Sequence, residues 1–225
     1  MRIDPAGFPF IIGAVAAAIL AGLMLGWGFA FPFLVLAGFF LFFFRDPDRQ
    51  IAASDDVVLS PADGRVLVAG AAEAAAAPPG EWVQISIFLS PMNVHVNRVP
   101  VSGRITRVSF QRGKFLPAYH RDAAAANERS EIWIDHGGRQ IVARQIVGVL
   151  ARRVVCRLQS GAVVRAGDRY GVMKFGSRMD IFLPLDATVQ TKVGDTVVGG
   201  VTVLAVMPDA RGERREQQAQ MALVH

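Results

Sequence analysis

The run Tyr170-Gly171-Val172-Met173-Lys174-Phe175-Gly176-Ser177-Arg178-Met179-Asp180-Ile181-Phe182-Leu183-Pro184 decides the fold class. Gly176-Ser177 stands between two short apolar runs, Gly171–Phe175 and Met179–Leu183, whose β-branched and aromatic side chains suit a pleated surface. Moving outward, similar runs recur at Arg65–Ala69, Trp82–Leu89, Arg104–Phe110, Glu131–Asp135, Gln140–Val147, Val154–Leu158 and Val201–Val206, separated by Gly, Pro and Asp. Few intervals can hold a helix, so residues 45–207 read as a mostly β domain. Ala71–Gly80 and Ala123–Ala126 are low in complexity and read as surface loops. Gly-Ser alone has two readings. It is either a turn between strands or a bond at which a serine hydroxyl attacks an unhindered glycine carbonyl, turning the amide into an ester.

Ahead of this domain, Phe8 to Phe44 contains no charged residue. As one helix the stretch would run ~55 Å, well beyond a ~30 Å hydrocarbon core, so it must turn back or protrude. Gly26-Trp27-Gly28 and Pro32 are the natural break between Phe8–Leu25 and Phe31–Phe44. We therefore expect residues 1–44 to form an apolar helical hairpin that enters and leaves a membrane by one face, with a single spanning helix as the alternative. A cleavable signal peptide fits poorly, since only Arg2 precedes the apolar stretch and that stretch is too long. Arg45 and Arg49 follow it at once, which places the β domain on the cytoplasmic side of the cell membrane. The single Cys156 leaves no intrachain disulfide, and the four histidines, His95, His120, His136 and His225, show no metal-ligand spacing. From Pro208 the chain turns into a polar tail, 208–225.

Tyr170 to Pro184 resembles the processing site of phosphatidylserine decarboxylases. Ser60-Pro61-Ala62-Asp63-Gly64-Arg65-Val66 is similar to that family's aspartate segment, and Phe88-Leu89-Ser90-Pro91-Met92-Asn93-Val94-His95 to its histidine segment, in the family's order. The resemblance runs from about Phe44 to Met207 and is closest to the short prokaryotic branch, which includes archaetidylserine decarboxylases. It implies a proenzyme that cleaves itself between Gly176 and Ser177 into chains 1–176 and 177–225. Ser177 then becomes a pyruvoyl group, the covalent pyruvate cofactor, which forms a Schiff base with the substrate amine. Decarboxylation leaves two electrons on Cα, and this protein-derived carbonyl is the sink that ordinary side chains lack. Phosphatidylserine would give phosphatidylethanolamine and CO2.

The resemblance also assigns an Asp–His–Ser set to processing, and Asp63 and Ser177 match two of its members. Related enzymes often carry a second histidine three residues after the first, as the base; here Arg98 stands there, and a guanidinium cannot serve as that base. His95 is thus the expected base or proton donor, with His120 and His136 in reserve. Arg98 and Lys174 are expected substrate contacts, and Phe175, Met179 and Phe182 core or acyl-chain contacts. As Asp63, His95 and Ser177 all lie beyond Arg45, a chain lacking residues 1–44 is expected to cleave itself.

The net charge of +5 comes from 21 arginines and three lysines. Arg98, Arg104, Arg107 and Arg112 fall close together and suit anionic lipid head groups, a merely solvated arginine face being the alternative. Nucleic acid is a poor partner, since no basic stripe is interleaved with aromatics. Subunit number is open, a homodimer being one option. Two rivals stand beside the decarboxylase. Val164-Arg165-Ala166-Gly167-Asp168 and Thr191-Lys192-Val193-Gly194-Asp195 repeat a Gly-Asp turn that suits a barrel-sandwich-like β domain, and Met173-Lys174 would be the modified pair of a membrane-tethered biotinyl/lipoyl-like carrier or adaptor. A serine hydrolase using Ser177 lacks the Gly-x-Ser-x-Gly elbow.

Overall fold

The computed structural model describes residues 1–51, 54–120, 122–149, 154–174 and 176–208. Phe175, His225 and the tail beyond Pro208 lie outside the described residues. Helix α1 (Phe8–Leu25) and helix α2 (Phe31–Phe43) are joined by a 3-10 turn at Trp27–Ala30. Each helix opens with a proline in its first turn, where the missing N–H has no partner to lose. Gly26, at φ +102°, ends α1 in a conformation that a side chain would strain. Ala14, Ala18, Ala30 and Ala37 are the small buried residues of the two-helix contact, while Leu23, Met24, Trp27, Phe29 and Phe31 point outward. Arg2–Ile3 pairs antiparallel with Arg45–Asp46, so the hairpin begins and ends at one place. Pro5–Leu25 is long and apolar enough to cross a membrane, and the second apolar segment, Trp27–Phe43, is shorter.

The rest is mostly strand, as expected. Eight strands form one antiparallel sheet curled into a half-barrel: β1 (Gly64–Ala71), β2 (Val83–Leu89), β3 (Gly103–Gln111), β4 (Arg129–His136), β5 (Arg139–Ile146), β6 (Val163–Val164), β7 (Ser177–Leu183) and β8 (Thr196–Val197). Their order is β6-β3-β4-β5-β7-β2-β1-β8. β7 therefore lies mid-sheet, with Ser177 opposite Leu89 of β2 and Arg178 opposite Ile146 of β5. Two three-stranded sheets complete the domain, one from Val96–Arg98, Val155–Cys156 and Arg169–Val172, the other from Val57–Leu59, Thr188–Val189 and Val203–Val206.

Alternation along β7 gives its two faces different chemistry. Met179, Ile181 and Leu183 join Ile85, Ile87 and Leu89 in the main core with Tyr170 and Leu204. On the opposite face Arg178 donates from Nε to Asp180 (2.6 Å) and from Nη2 to Ser86 (2.9 Å), with Gln84 bonded to the same Ser86 hydroxyl (3.0 Å). Arg144 lies beside them, bonded to Glu131 at 2.8 Å and to the Ala76 carbonyl. Buried charge persists here because each ion is paired.

That network corrects one expectation. Ala71–Gly80 is docked on the sheet by Ala76 and by the Glu73 N–H, which donates to Gln84, and is no free surface loop. Ala123–Ala126 is a single helical turn, α3, whose Ala123 and Ala124 are fully buried. The two Gly-Asp repeats share one geometry: Gly167 and Gly194 adopt φ of +86° and +96°, and Asp168 and Asp195 each accept the N–H of the residue three positions back.

Candidate active site

Asp63 sits on the turn leading into β1. Gly64 follows because a Cβ there would run into the Phe88 carbonyl of β2; close approach, rather than turn conformation, demands the glycine. The carboxylate receives the Arg49 guanidinium in a bidentate fork, at 2.6 and 2.8 Å, and the Gly199 N–H at 2.8 Å. Arg49 also donates to the Gly199 carbonyl.

His95 lies just before the strand Val96–Arg98, almost fully buried, with its ring stacked on Phe43 at 4.0 Å between centroids. Its Nδ1 is 2.9 Å from the Asn93 carbonyl. A carbonyl can only accept, so Nδ1 carries the hydrogen, and in the neutral ring Nε2 keeps a lone pair. Nε2 is buried without a hydrogen-bond partner among the described residues. Burial lowers the pKa to about 4, outweighing the Asn93 bond, which raises it; Arg45 lowers it further and Asp63 raises it. At neutral pH this imidazole is an uncharged base.

Ser177 begins β7, fully buried, and donates its hydroxyl to the Lys174 carbonyl at 3.3 Å. The His95 carbonyl accepts the Met173 N–H at 3.2 Å, so the histidine segment is laced to the residues just ahead of the Gly-Ser pair. Gly176 has φ +74°, the left-handed region that favours glycine. Its carbonyl oxygen presses on Gly148, where any Cβ would collide with it. Asn127 holds this neighbourhood together: it donates to the carbonyls of Leu116 (2.8 Å) and Val147 (2.9 Å) and accepts the Leu116 N–H (2.9 Å). The Asn127 clamp thus ties the segment carrying Ala118 and Tyr119 to the end of β5, beside the Gly176 carbonyl.

His95 and Ser177 are therefore brought into one neighbourhood, while Asp63 acts on His95 through charge and spends its hydrogen bonds on Arg49 and Gly199. Arg98 has different partners from the substrate contact expected of it. It is buried, donates to the carbonyls of Gly167 (3.0 Å) and Pro47 (3.1 Å), and pairs with Asp46 (3.3 Å). Of the four clustered arginines, Arg104, Arg107 and Arg112 are exposed and Arg98 is not. Lys174 is half-buried with Nζ 4.8 Å from the Phe10 ring centroid. Met179 and Phe182 are core residues. His120 is exposed beside Asp122, and His136 bridges the carbonyls of Ser102 and Asp55, so neither shares His95's setting.

A family model described as phosphatidylserine decarboxylase matches residues 36–205. The chain belongs to that family. A phosphatidylserine decarboxylase proenzyme of Nitrosomonas europaea is 43% identical over 202 residues, covering 88% of this chain and 92% of its own. Proenzymes of the same name from Geotalea daltonii and Neisseria gonorrhoeae are each 41% identical, over 203 and 205 residues, covering 89% and 90% of this chain and 94% and 78% of theirs.

Membership in the decarboxylase family weighs against both rivals, and the structure adds to that. A carrier lysine stands at an exposed hairpin tip, whereas Lys174 is tucked against helix α1. Phe43 and Arg49, which touch the two most informative side chains of the site, were not singled out by the sequence for these roles. No motif marks them, because each meets its partner only when the chain folds.

Proposed function

We propose that the chain is a proenzyme that cuts itself between Gly176 and Ser177, converts Ser177 into a pyruvoyl group and then decarboxylates phosphatidylserine to phosphatidylethanolamine at a membrane surface. The observation that carries this reading is the Gly-Ser pair itself: a left-handed Gly176 whose carbonyl lies close against Gly148, followed by a buried Ser177 in a segment laced to a neutral histidine. His95 Nε2 accepts the Ser177 hydroxyl proton as Oγ bonds to the Gly176 carbon, and returns it to the Ser177 nitrogen as the C–N bond breaks. Elimination then takes the Ser177 Cα proton to a base as the Oγ–Cβ bond breaks, releasing the Gly176 carboxylate and leaving an enamine; this tautomerises to the imine, and water hydrolyses it to the pyruvoyl carbonyl and ammonia.

Once formed, the pyruvoyl carbonyl supplies the electron sink for decarboxylation. The surrounding residues fit such a group: the Ser177 position is buried, and a buried imidazole nitrogen without a partner among the described residues is available to move protons. Asp63 favours the imidazolium that each transfer creates, by charge. Lys174, half-buried against Phe10 of the hairpin, is the cation assigned to an anionic head group in this reading. The exposed apolar side chains of α1 and α2 are the membrane contact in this reading, and the cations that follow the apolar stretch, Arg45 and Arg49, favour a cytoplasmic β domain.

Intact-mass spectrometry of the purified full chain tests this directly. Two fragments, 1–176 and 177–225, the second with a blocked N-terminus, are expected, together with CO2 release from phosphatidylserine in mixed micelles. Ser177→Ala, which has no oxygen to attack and nothing to eliminate, is expected to give one intact chain without activity. Cleavage of that variant at the same bond, or an active wild-type protein of intact mass, would defeat the proposal.

A further inference from the structure

The foot of the hairpin is bolted to the histidine segment. Arg45 donates to the Met92 carbonyl at 2.7 Å, and the Asp4 N–H to the Phe44 carbonyl at 2.9 Å. Asp4 receives the Arg157 guanidinium at 2.7 and 3.0 Å, and Asp46 pairs with Arg98 and Arg169. Gly7 leaves room for the Phe44 ring, since a Cβ there would collide with it. Phe43 and Phe44 are consequently fully buried, in one cluster with Val94, Val96 and Val172, and Phe10, Phe39 and Phe40 pack on its outside. Phe43 is the member that reaches the imidazole, nearly parallel to it at an interplanar angle of 29°.

We propose that Phe43 is a positioning residue for His95: the last residue of the second hairpin helix lies flat on the imidazole and shuts water away from it, so that the membrane hairpin supplies one wall of the catalytic site. This rests on the reading of His95 as the processing base. An aromatic ring face stacked on a neutral imidazole fixes its plane and leaves Nε2 no turn of the ring that would find solvent. It also disfavours the charged form, since an imidazolium in the same seam would give up its hydration. The charged groups acting on His95 are Arg45 at the hairpin exit and Asp63 before β1, with Arg49 bonded to it. Arg45 and Asp63 act in opposite senses, which leaves burial as the dominant influence.

The test follows the His95 imidazole by NMR in the full chain in detergent micelles, with Ser177→Ala keeping it uncut and His95→Gln assigning the signal. The titration midpoint is expected near 4 with Phe43 in place. Phe43→Ala is expected to move it toward the ordinary 6.5. Phe43→Leu, which fills only part of the ring's place and readmits some water to the imidazole, should move it up by less than the alanine change, and Phe43→Tyr should leave it near 4. In chains with Ser177 intact, the low-pH limb of the cleavage rate should shift by the same amounts. Unchanged midpoints in both the alanine and leucine proteins would overturn the role of Phe43, and the leucine protein decides if the alanine one does not fold. Normal cleavage in His95→Gln would instead overturn His95 as the base, a separate result that leaves the titration comparison standing.

Discussion

Between its ordinary titration range and about pH 4, His95 is charged in an unfolded chain and neutral in the folded one, chiefly because burial opposes the charge. The folded pKa lies below the unfolded one, so the unfolded state binds more protons across that window. Stability therefore falls as pH falls through it, by roughly 3 kcal/mol at the acid end. Denaturant unfolding of the Ser177→Ala chain at about pH 7 and about pH 4.5 should show this loss, and the added change His95→Gln should reduce it; equal losses in both would exclude His95 as the group. Gly148→Ala carries a different expectation. Its Cβ would meet the Gly176 carbonyl oxygen, so either that carbonyl or the Val147–Gly148 backbone must shift. Cleavage is expected to slow by about 10-fold or more, while urea stability changes by only about 1–3 kcal/mol. Time courses on gels check the first and unfolding midpoints the second. Asp63, His95 and Ser177 were legible because each stands in a local motif. The Arg49 fork on Asp63 spans 14 residues and the Phe43 stack on His95 spans more, and contacts made only by folding leave no local signature.

Legibility of the elements followed their length. Strands of seven to nine residues, such as β2, β3 and β7, show their alternation openly. Val57–Leu59 and Val163–Val164 are too short to display a period, and Val96–Arg98, buried at every position, shows none. Both hairpin helices were readable from the charge-free stretch and its glycine break. What the sequence could not show is how the hairpin docks, and the docking argues against the expectation that a chain lacking residues 1–44 would process normally. Such a deletion removes Phe43 and Phe44, and burial of aromatic rings of this kind is worth about 3–5 kcal/mol apiece. The truncated protein is expected to be less stable by several kcal/mol and to accumulate precursor. Replacing only the tip, residues 15–36, by a short Gly-Ser turn should leave cleavage intact. Equal cleavage by the two proteins, followed on gels, would show that the hairpin foot contributes nothing to the site.

For the whole molecule, two exposed surfaces suit a bilayer by their chemistry: the apolar hairpin, and the arginines Arg104, Arg107 and Arg112 on and just beyond β3. Salt acts on only one of them. In vesicle flotation, raising salt from about 0.1 M to about 1 M should weaken binding to anionic vesicles without abolishing it, since the Debye length drops to ~3 Å while apolar burial persists. The tip-replaced chain should release completely at the higher salt; full retention would mean that another surface anchors the protein. The mid-sheet position of β7 has its own consequence. Under the proposed cleavage, the new end at Ser177 belongs to a strand with seven paired residues on β2 and five on β5, so the small fragment is laced through the middle of the large one. The uncut chain refolds as one molecule, each half held at high effective concentration beside the other. The cut protein, once fully unfolded, must find its missing strand by diffusion, so its recovery should depend on dilution whereas the precursor's should not. Self-cleavage would in this way exchange a reversible fold for a persistence set by the rate of unfolding.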